Sequence, residues 1–289
     1  MNCKSCGYTW RPIKKHHHVD TRWVQAYLLD GSSVRRLGER WKVNSSTAWR
    51  RIQRSLHPDM TVDVLVVMKP FCASNIILID AKHFKVRRQT YTLYVCLNAH
   101  TSKPICWILM KGSEGRIGYD QILGTLKQRN VNIEAVVSDN DQSIRCSIND
   151  WYPNAIQQKC AFHLLKTAFT KINGRRIIKT MYGQRLWNII KKIVLGYDTY
   201  NDARKYFLRI KRQEIDHAHV WKLIDRNLKT VYQFEQKSTL PIPRTSNQIE
   251  NFMGVIEQRI KTFRSFKNAE SLIKIVSAFI KIKYKRSTN

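Results

Sequence analysis

Three carboxylates stand at points where a fold could gather them. Asp80 closes the apolar run "NIILID", Asp139 follows "AVVS", and Glu250 lies in "SNQIENFMGVIEQRIKTF". Magnesium takes oxygen ligands, usually one or two carboxylates with water and substrate phosphate oxygens completing the shell. Two such ions, a few ångström apart, can clamp the attacking and leaving oxygens of an in-line displacement at phosphorus. A carboxylate at the edge of a core is costly unless something pairs with it, and a bound dication would relieve the repulsion among all three. Taken singly, an Asp after a strand or a Glu on a helix is usually a cap or a solvated charge. Only the convergence of all three would make a site.

Cys160-x-x-His163 is the second group with chemistry in it. Alone it is half a zinc site. On a helix, residues i and i+3 share a face, so both side chains can point at one end of a sheet. We read the pair as positioning DNA or ordering the acidic site in preference to binding metal; the plain alternative is a core Cys beside a partly buried His. Cys3-x-x-Cys6 before Gly7 has the shape of one knuckle of a zinc ribbon, which makes Zn²⁺ an option there, but no second Cys pair follows. Trp187 and Trp221 would either stack on an unpaired base at a cut end or, as Trp at helical spacing more often does, pack in a core.

The elements that must hold these groups can be read from periodicity. From Asn75 the pattern predicts strands over Ile76–Ile79, Tyr91–Ala99 and Ile105–Met110, joined by short loops as an antiparallel meander. A helix over Tyr119–Gln128, a strand over Ala135–Val137, a helix over Ile144–Trp151 and a fifth strand near Ala155–Gln158 follow. That order builds a mixed sheet with helices on its faces. If the fourth strand lies beside the first, Asp80 and Asp139 meet at the carboxyl ends of strands, where ligands of open α/β sheets collect. Leu164 to Gln236 is helical in pattern, rich in Lys and Arg, and looks inserted. Pro241-Ile242-Pro243 ends it, Ser246 is placed to cap the Glu250 helix, and an amphipathic helix near Ala269–Ile282 closes the chain.

Upstream, residues 20–57 predict three short helices. The second spans Ser33–Trp41, Lys42-Val43-Asn44 is a turn, and Ser45 is the expected N-cap of the third. That third helix carries Arg50, Arg51 and Arg54, and the pattern is that of a helix-turn-helix, with Ser45, Ser46, Thr47 and Arg50 nearest the base edges of a major groove. A basic three-helix bundle docking on protein is the alternative. Charge favours DNA: Lys+Arg 51 against Asp+Glu 21 leaves a net +30, spread along the chain. So large a surplus repels itself unless a polyanion neutralises it. Seven cysteines, an odd number, with no secretory leader in sight argue against a disulfide framework. No apolar run is long enough to span a membrane, so a cytoplasmic, nucleoid-associated protein is expected.

Together these stretches resemble a DDE transposase of the Mutator-like superfamily. Ile79-Asp80, "VVSDNDQSIRCSINDWYPNAIQQKCAFH" with its Cys160-x-x-His163, and "TSNQIENFMGVIEQRIKTFRSF" with Glu250 carry the likeness over about residues 75–285. The resemblance implies an α/β, RNase H-like mixed-sheet catalytic core with an all-α insertion, preceded by a small helix-turn-helix domain. The corresponding segments are 1–18 (partial ribbon), 19–58 (helix-turn-helix), 75–164 (first part of the core), 165–240 (helical insertion) and 241–289 (C-terminal helices of the core). It implies Asp80, Asp139 and Glu250 as catalytic residues holding two Mg²⁺ ions, cleavage of double-stranded DNA at the ends of an insertion sequence, and strand transfer to target DNA by transesterification. It implies a homodimer or higher oligomer on DNA. Ala81 and Asn140 stand where the family commonly has Gly after each Asp. A copy that binds DNA without cutting it, or another RNase H-like nuclease or resolvase, are the competing functions.

Overall fold

The chain divides into two units, Met1–Asp59 and Met60–Asn289. The computed structural model describes residues 21–56, 61–68, 74–139, 141–213, 216–236, 238–262 and 268–285. In the first unit, α1 (Thr21–Leu28), α2 (Val34–Arg40) and α3 (Ser45–Ser55) enclose Val24, Leu28, Leu37, Ala48 and Ile52. Ser33 caps α2, its hydroxyl accepting the Arg36 N–H at 3.2 Å. Asn44, rather than Ser45, caps α3: its side-chain oxygen accepts the Thr47 N–H at 2.8 Å. Asn and Ser are equally good caps, and the residue whose oxygen reaches three positions on is the one that ends the turn. A Cβ on Gly38 would lie 2.6 Å from the Val43 carbonyl oxygen, so the α2–α3 turn closes this tightly only over glycine.

The second unit is built on a six-stranded mixed sheet: β1 (Val66–Val67), β2 (Ile76–Val86), β3 (Gln89–Asn98), β4 (Pro104–Lys111), β5 (Ala135–Ser138) and β6 (Ile156–Lys159), in the order β1-β4-β3-β2-β5-β6. β2, β3 and β4 form the expected antiparallel meander, and β5 and β6 add parallel to the far side of β2. Two strands depart from expectation. β1 lies in what reads as linker and pairs antiparallel with β4 through Val66 and Trp107. β2 does not stop at Ile79; it pairs with β3 from Ile77↔Asn98 to Val86↔Gln89. The turn is Arg87-Arg88, both at positive φ (48° and 67°), the backbone sense of tight hairpins. The second half of β2 alternates polar residues with buried Phe84 and Val86, so it lacks the apolar run that marks its first half.

On one face, α4 (Arg116–Gln128) and α5 (Gln142–Trp151) cover Ile77, Ile79, Tyr94 and Ile108. Cys96 and Cys106, opposed across β3 and β4, are free thiols in the core. Then α6 (Ala161–Lys171), α7 (Gly174–Ile177), α8 (Met181–Leu195), α9 (Tyr200–Gln213) and α10 (Ala218–Val231) enclose a separate apolar cluster around Leu164, Ile190, Phe207 and Ile224. The chain returns to the sheet through α11 (Asn247–Thr262) and α12 (Ala269–Lys285). Trp107, which alternates with Ile108 and so points to the opposite face, donates its indole N–H to Ser277 of α12 at 2.8 Å. Among the described residues no helix is long and apolar enough to cross a membrane.

Candidate active site

β5 runs parallel to β2 with Leu78 opposite Val137. Asp80 and Asp139 each lie two residues beyond that pair, so Asp139, one residue past the end of β5, comes beside Asp80, adjacent strands being about 4.8 Å apart in any sheet. Asp80 is not at a strand tip as expected. It sits inside β2, opposite Val95 of β3. The end belongs to β5, which stops at Ser138 and pairs with β2 only as far as Leu78.

Glu250 reaches the same place from the first turn of α11. Lys82 Nζ and Glu257 Oε2 are 2.9 Å apart. Lys82 shares its strand face with Asp80, and Glu257, seven residues beyond Glu250, shares its helix face. The pair therefore lays α11 across β2 with Glu250 on the Asp80 side. The link between them is His163. Its Nδ1 lies 3.5 Å from Glu250 Oε1, and its charge acts on both Asp80 and Glu250. Both of those atoms are buried and neither makes a hydrogen bond, so the contact is one of charge alone. Cys160 is the N-cap residue of α6, fully buried, with His163 on the first turn. One ligand atom each from Cys160, His163 and Glu250 lie within 4.8 Å of one another.

Burial pushes the Asp80 carboxyl up to about 6; the Ala81 N–H and His163 oppose the shift, and Asp139 and Glu114 add to it. Glu114 was marked by no motif, standing in the "GSEGR" loop between β4 and α4. Its carboxyl is also raised, by burial first, against a hydrogen bond from the Tyr119 hydroxyl and with Asp139 beside it. Burial and then Glu114 drive the Tyr119 phenol well above its usual range. His163 is raised to about 9: the hydrogen bond with Cys160 leads, burial opposes, and Cys160, Asp80 and Glu250 reinforce it. Burial pushes the Cys160 thiol up, but hydrogen bonds with His163 and Ser246 outweigh it and leave the thiol below its usual range. Lys159, half-buried beside Asp139, is lowered by burial.

The donors suit a hard dication. Asp80, Asp139 and Glu250 offer only oxygen. One Glu250 oxygen is buried without a donor, and the ionisation that burial and like charge resist at Asp80 is what a dication favours. The mixed sulfur, nitrogen and oxygen set of Cys160, His163 and Glu250 is of the kind softer ions such as Zn²⁺ prefer.

Other expected residues fall elsewhere. Ser45, Ser46, Arg50, Arg51 and Arg54 are exposed on α3, opposite buried Ala48 and Ile52, with Thr47 partly covered. The Arg51 guanidinium lies over the Trp23 ring, 5.1 Å from its centroid. Trp221 is 2% exposed inside the helical cluster and donates to the Asp216 carbonyl, so it is core and not a platform for a base. Trp187 is partly buried against Phe169, ring centroids 5.0 Å apart; both aromatics follow the usual preference of large rings for dry surroundings. Cys3 and Cys6 lie outside the described residues.

Residues 72–286 match the family model described as "Transposase, Mutator family". The chain belongs to the Mutator family of transposases. The transposase for insertion sequence element ISRM5 of Rhizobium meliloti (strain 1021) is 23% identical over 215 residues, covering 70% of this chain and 52% of that protein. The chain thus spans about half the length of the curated relative it matches. Among solved structures, the Drosophila P element transposase strand transfer complex aligns at 11% identity and a TM-score of 0.39 over 99% of this chain and 95% of its own. A pre-cleavage Mos1 transpososome aligns at 14% identity and a TM-score of 0.23, over 77% and 79%.

Proposed function

We propose that this Mutator-family chain binds the ends of an insertion sequence and cuts and joins DNA there, using Asp80, Asp139 and Glu250 as its catalytic carboxylates. The observation that carries it is the register of β2 and β5, which sets Asp80 and Asp139 side by side while α11 brings Glu250 onto the same face. The strand order β4-β3-β2-β5-β6, three antiparallel strands followed by two parallel ones on the far side of the first, supports an RNase H-like core. Asp80, Asp139 and Glu250 would hold two Mg²⁺ ions, which supply Lewis-acid polarisation of the scissile phosphate and activation of the attacking oxygen. The protein's part is to place the carboxylates and seat the DNA. β2 holds Asp80 within a strand, and β5 ends one residue before Asp139. His163 keeps positive charge beside Glu250 and Asp80.

For DNA, we assign α3 as the recognition helix of a helix-turn-helix, its exposed Ser45, Ser46 and Arg50 toward base edges and Arg54 toward phosphates. His163, Lys166, Thr167, Thr170 and Lys171 line an open groove along α6 that leads away from the carboxylates, suited to a phosphate backbone. Two copies would pair two element ends. Cys3 and Cys6 would supply half of a zinc ribbon.

Nicking of a DNA duplex carrying the flanking element's own ends tests this. Wild type should nick it in Mg²⁺ and not in EDTA. Asp80→Asn and Glu250→Gln should lose nicking by at least about a hundredfold while binding the duplex as wild type does. Nicking that survives either substitution removes that residue from the catalytic set. Binding without nicking by wild type leaves a DNA-binding protein and no enzyme.

A further inference from the structure

Asp139 and Glu250 belong to elements separated by the whole of α6–α10, which folds around its own core. Something outside that core must fix one carboxylate against the other. The Cys160 N–H donates to the carbonyl of Ser138, the residue before Asp139, at 2.7 Å. Cys160 Sγ accepts the N–H of Ser246 at 3.2 Å. The Ser246 carbonyl accepts the N–H of Glu250 itself at 3.1 Å. An unbroken run of hydrogen bonds therefore leads from the neighbour of Asp139, through Cys160, to Glu250. The next residue adds a second tie, the Ala161 N–H donating to the Arg244 carbonyl at 3.0 Å. Arg244 is itself held with its guanidinium over Phe234, 4.4 Å from the ring centroid. A sulfur suits this position. It is buried, and free cysteine is among the residue types most often buried. His163 then holds the Glu250 side chain, Nδ1 to Oε1, at 3.5 Å.

We propose that Cys160 and His163 are positioning residues that set Glu250 relative to Asp139, Cys160 through the backbone at the start of α11 and His163 through the Glu250 carboxylate. The proposal rests on Asp139 and Glu250 being metal ligands. It gives the Cys-x-x-His pair a role that needs neither a metal on the sulfur nor contact with DNA.

The test is the Mn²⁺ affinity of the full chain without DNA, read from the free-Mn²⁺ EPR signal. Cys160→Ser keeps an acceptor and loses volume; Cys160→Val fills the volume and cannot accept. Cys160→Val and His163→Leu should each weaken Mn²⁺ binding about tenfold, the scale of a lost outer-shell partner, while Cys160→Ser stays near wild type. Cys160→Val combined with Glu250→Gln should bind no more weakly than Glu250→Gln alone, because both act through one ligand. Melting curves identify a variant that fails to fold, in which case Cys160→Ala replaces Cys160→Val with the same expectation. The opposite ranking, Val like wild type and Ser weakened, would show that Cys160 only fills space and would overturn its positioning role. One zinc per chain in wild type, lost in Cys160→Ser, would overturn it in favour of a metal centre. An affinity weakened by Glu250→Gln but untouched by Cys160→Val and His163→Leu removes the positioning role alone; one that Glu250→Gln leaves unchanged removes the metal reading and the positioning role with it.

Discussion

At the scale of single residues, the site is held together by charges that oppose one another, and that fixes how it responds to pH. The Asp80 carboxyl sits at about 6 in the folded chain, above its value of about 3.9 in an unfolded one. The folded state therefore binds that proton more tightly, and Asp80 costs stability as pH rises through that window. His163 is a base raised in the same direction. Its folded value of about 9 lies above the unfolded value of about 6.5. Its contribution is complete below the unfolded value and is lost as pH rises through the folded one. Metal-free protein should accordingly lose melting temperature between about pH 7 and pH 9, and His163→Gln should flatten that fall. Mg²⁺ should raise the melting temperature of wild type at neutral pH and have little effect on Asp80→Asn. A wild-type melting curve that climbs from neutral to alkaline pH would contradict the proton assigned to His163.

At the scale of elements, buried polar contacts and close approaches decide how the helices sit. Trp107 is buried on β4 and gives its N–H to Ser277, itself buried on α12. Ser277→Ala would strand that donor without water, at a cost of about 1–3 kcal/mol, read as a lower denaturant midpoint with an unchanged slope. In the N-terminal unit, Gly38→Ala would drive a methyl against the Val43 carbonyl oxygen. Overpacking of this kind costs about 1–3 kcal/mol, and it should weaken end binding while leaving the melting of the larger unit unchanged. The sequence was least legible at this scale. The apolar half of β2 announced itself, and its polar half did not, because pairing with β3 depends on a hairpin turn at Arg87-Arg88 rather than on hydropathy. β1 is only two residues long, too short to carry a period. Asn44 and Ser45 are both capping residues, and only the geometry of the turn selects Asn44.

At the scale of the whole molecule, a net charge of +30 is the dominant fact about partners. Binding to DNA ends, as proposed, would release counterions in proportion to the phosphates neutralised. For about six phosphate contacts, affinity should fall roughly a thousandfold between about 50 and 200 mM salt. Arg54→Ala on α3 should reduce the slope of that dependence by about one phosphate contact, as fluorescence anisotropy over a salt series would record. A slope unchanged by Arg54→Ala would take that residue off the phosphate backbone.

The sequence alone determined the mixed sheet and the helical segment between Asp139 and Glu250, and it singled out three carboxylates as candidates for a site. Those features follow from local hydropathy and from residue types whose chemistry is narrow. The tertiary structure decided what lies across long separations in the chain. It brought Glu114 and Tyr119 beside Asp139, and it buried Trp221 in a core. It also turned Cys160 from one half of a familiar spacing into the hydrogen-bonded join between Ser138 and Ser246. Periodicity records which face of an element is apolar, whereas hydrogen bonds between distant elements depend on where packing sets those faces against each other.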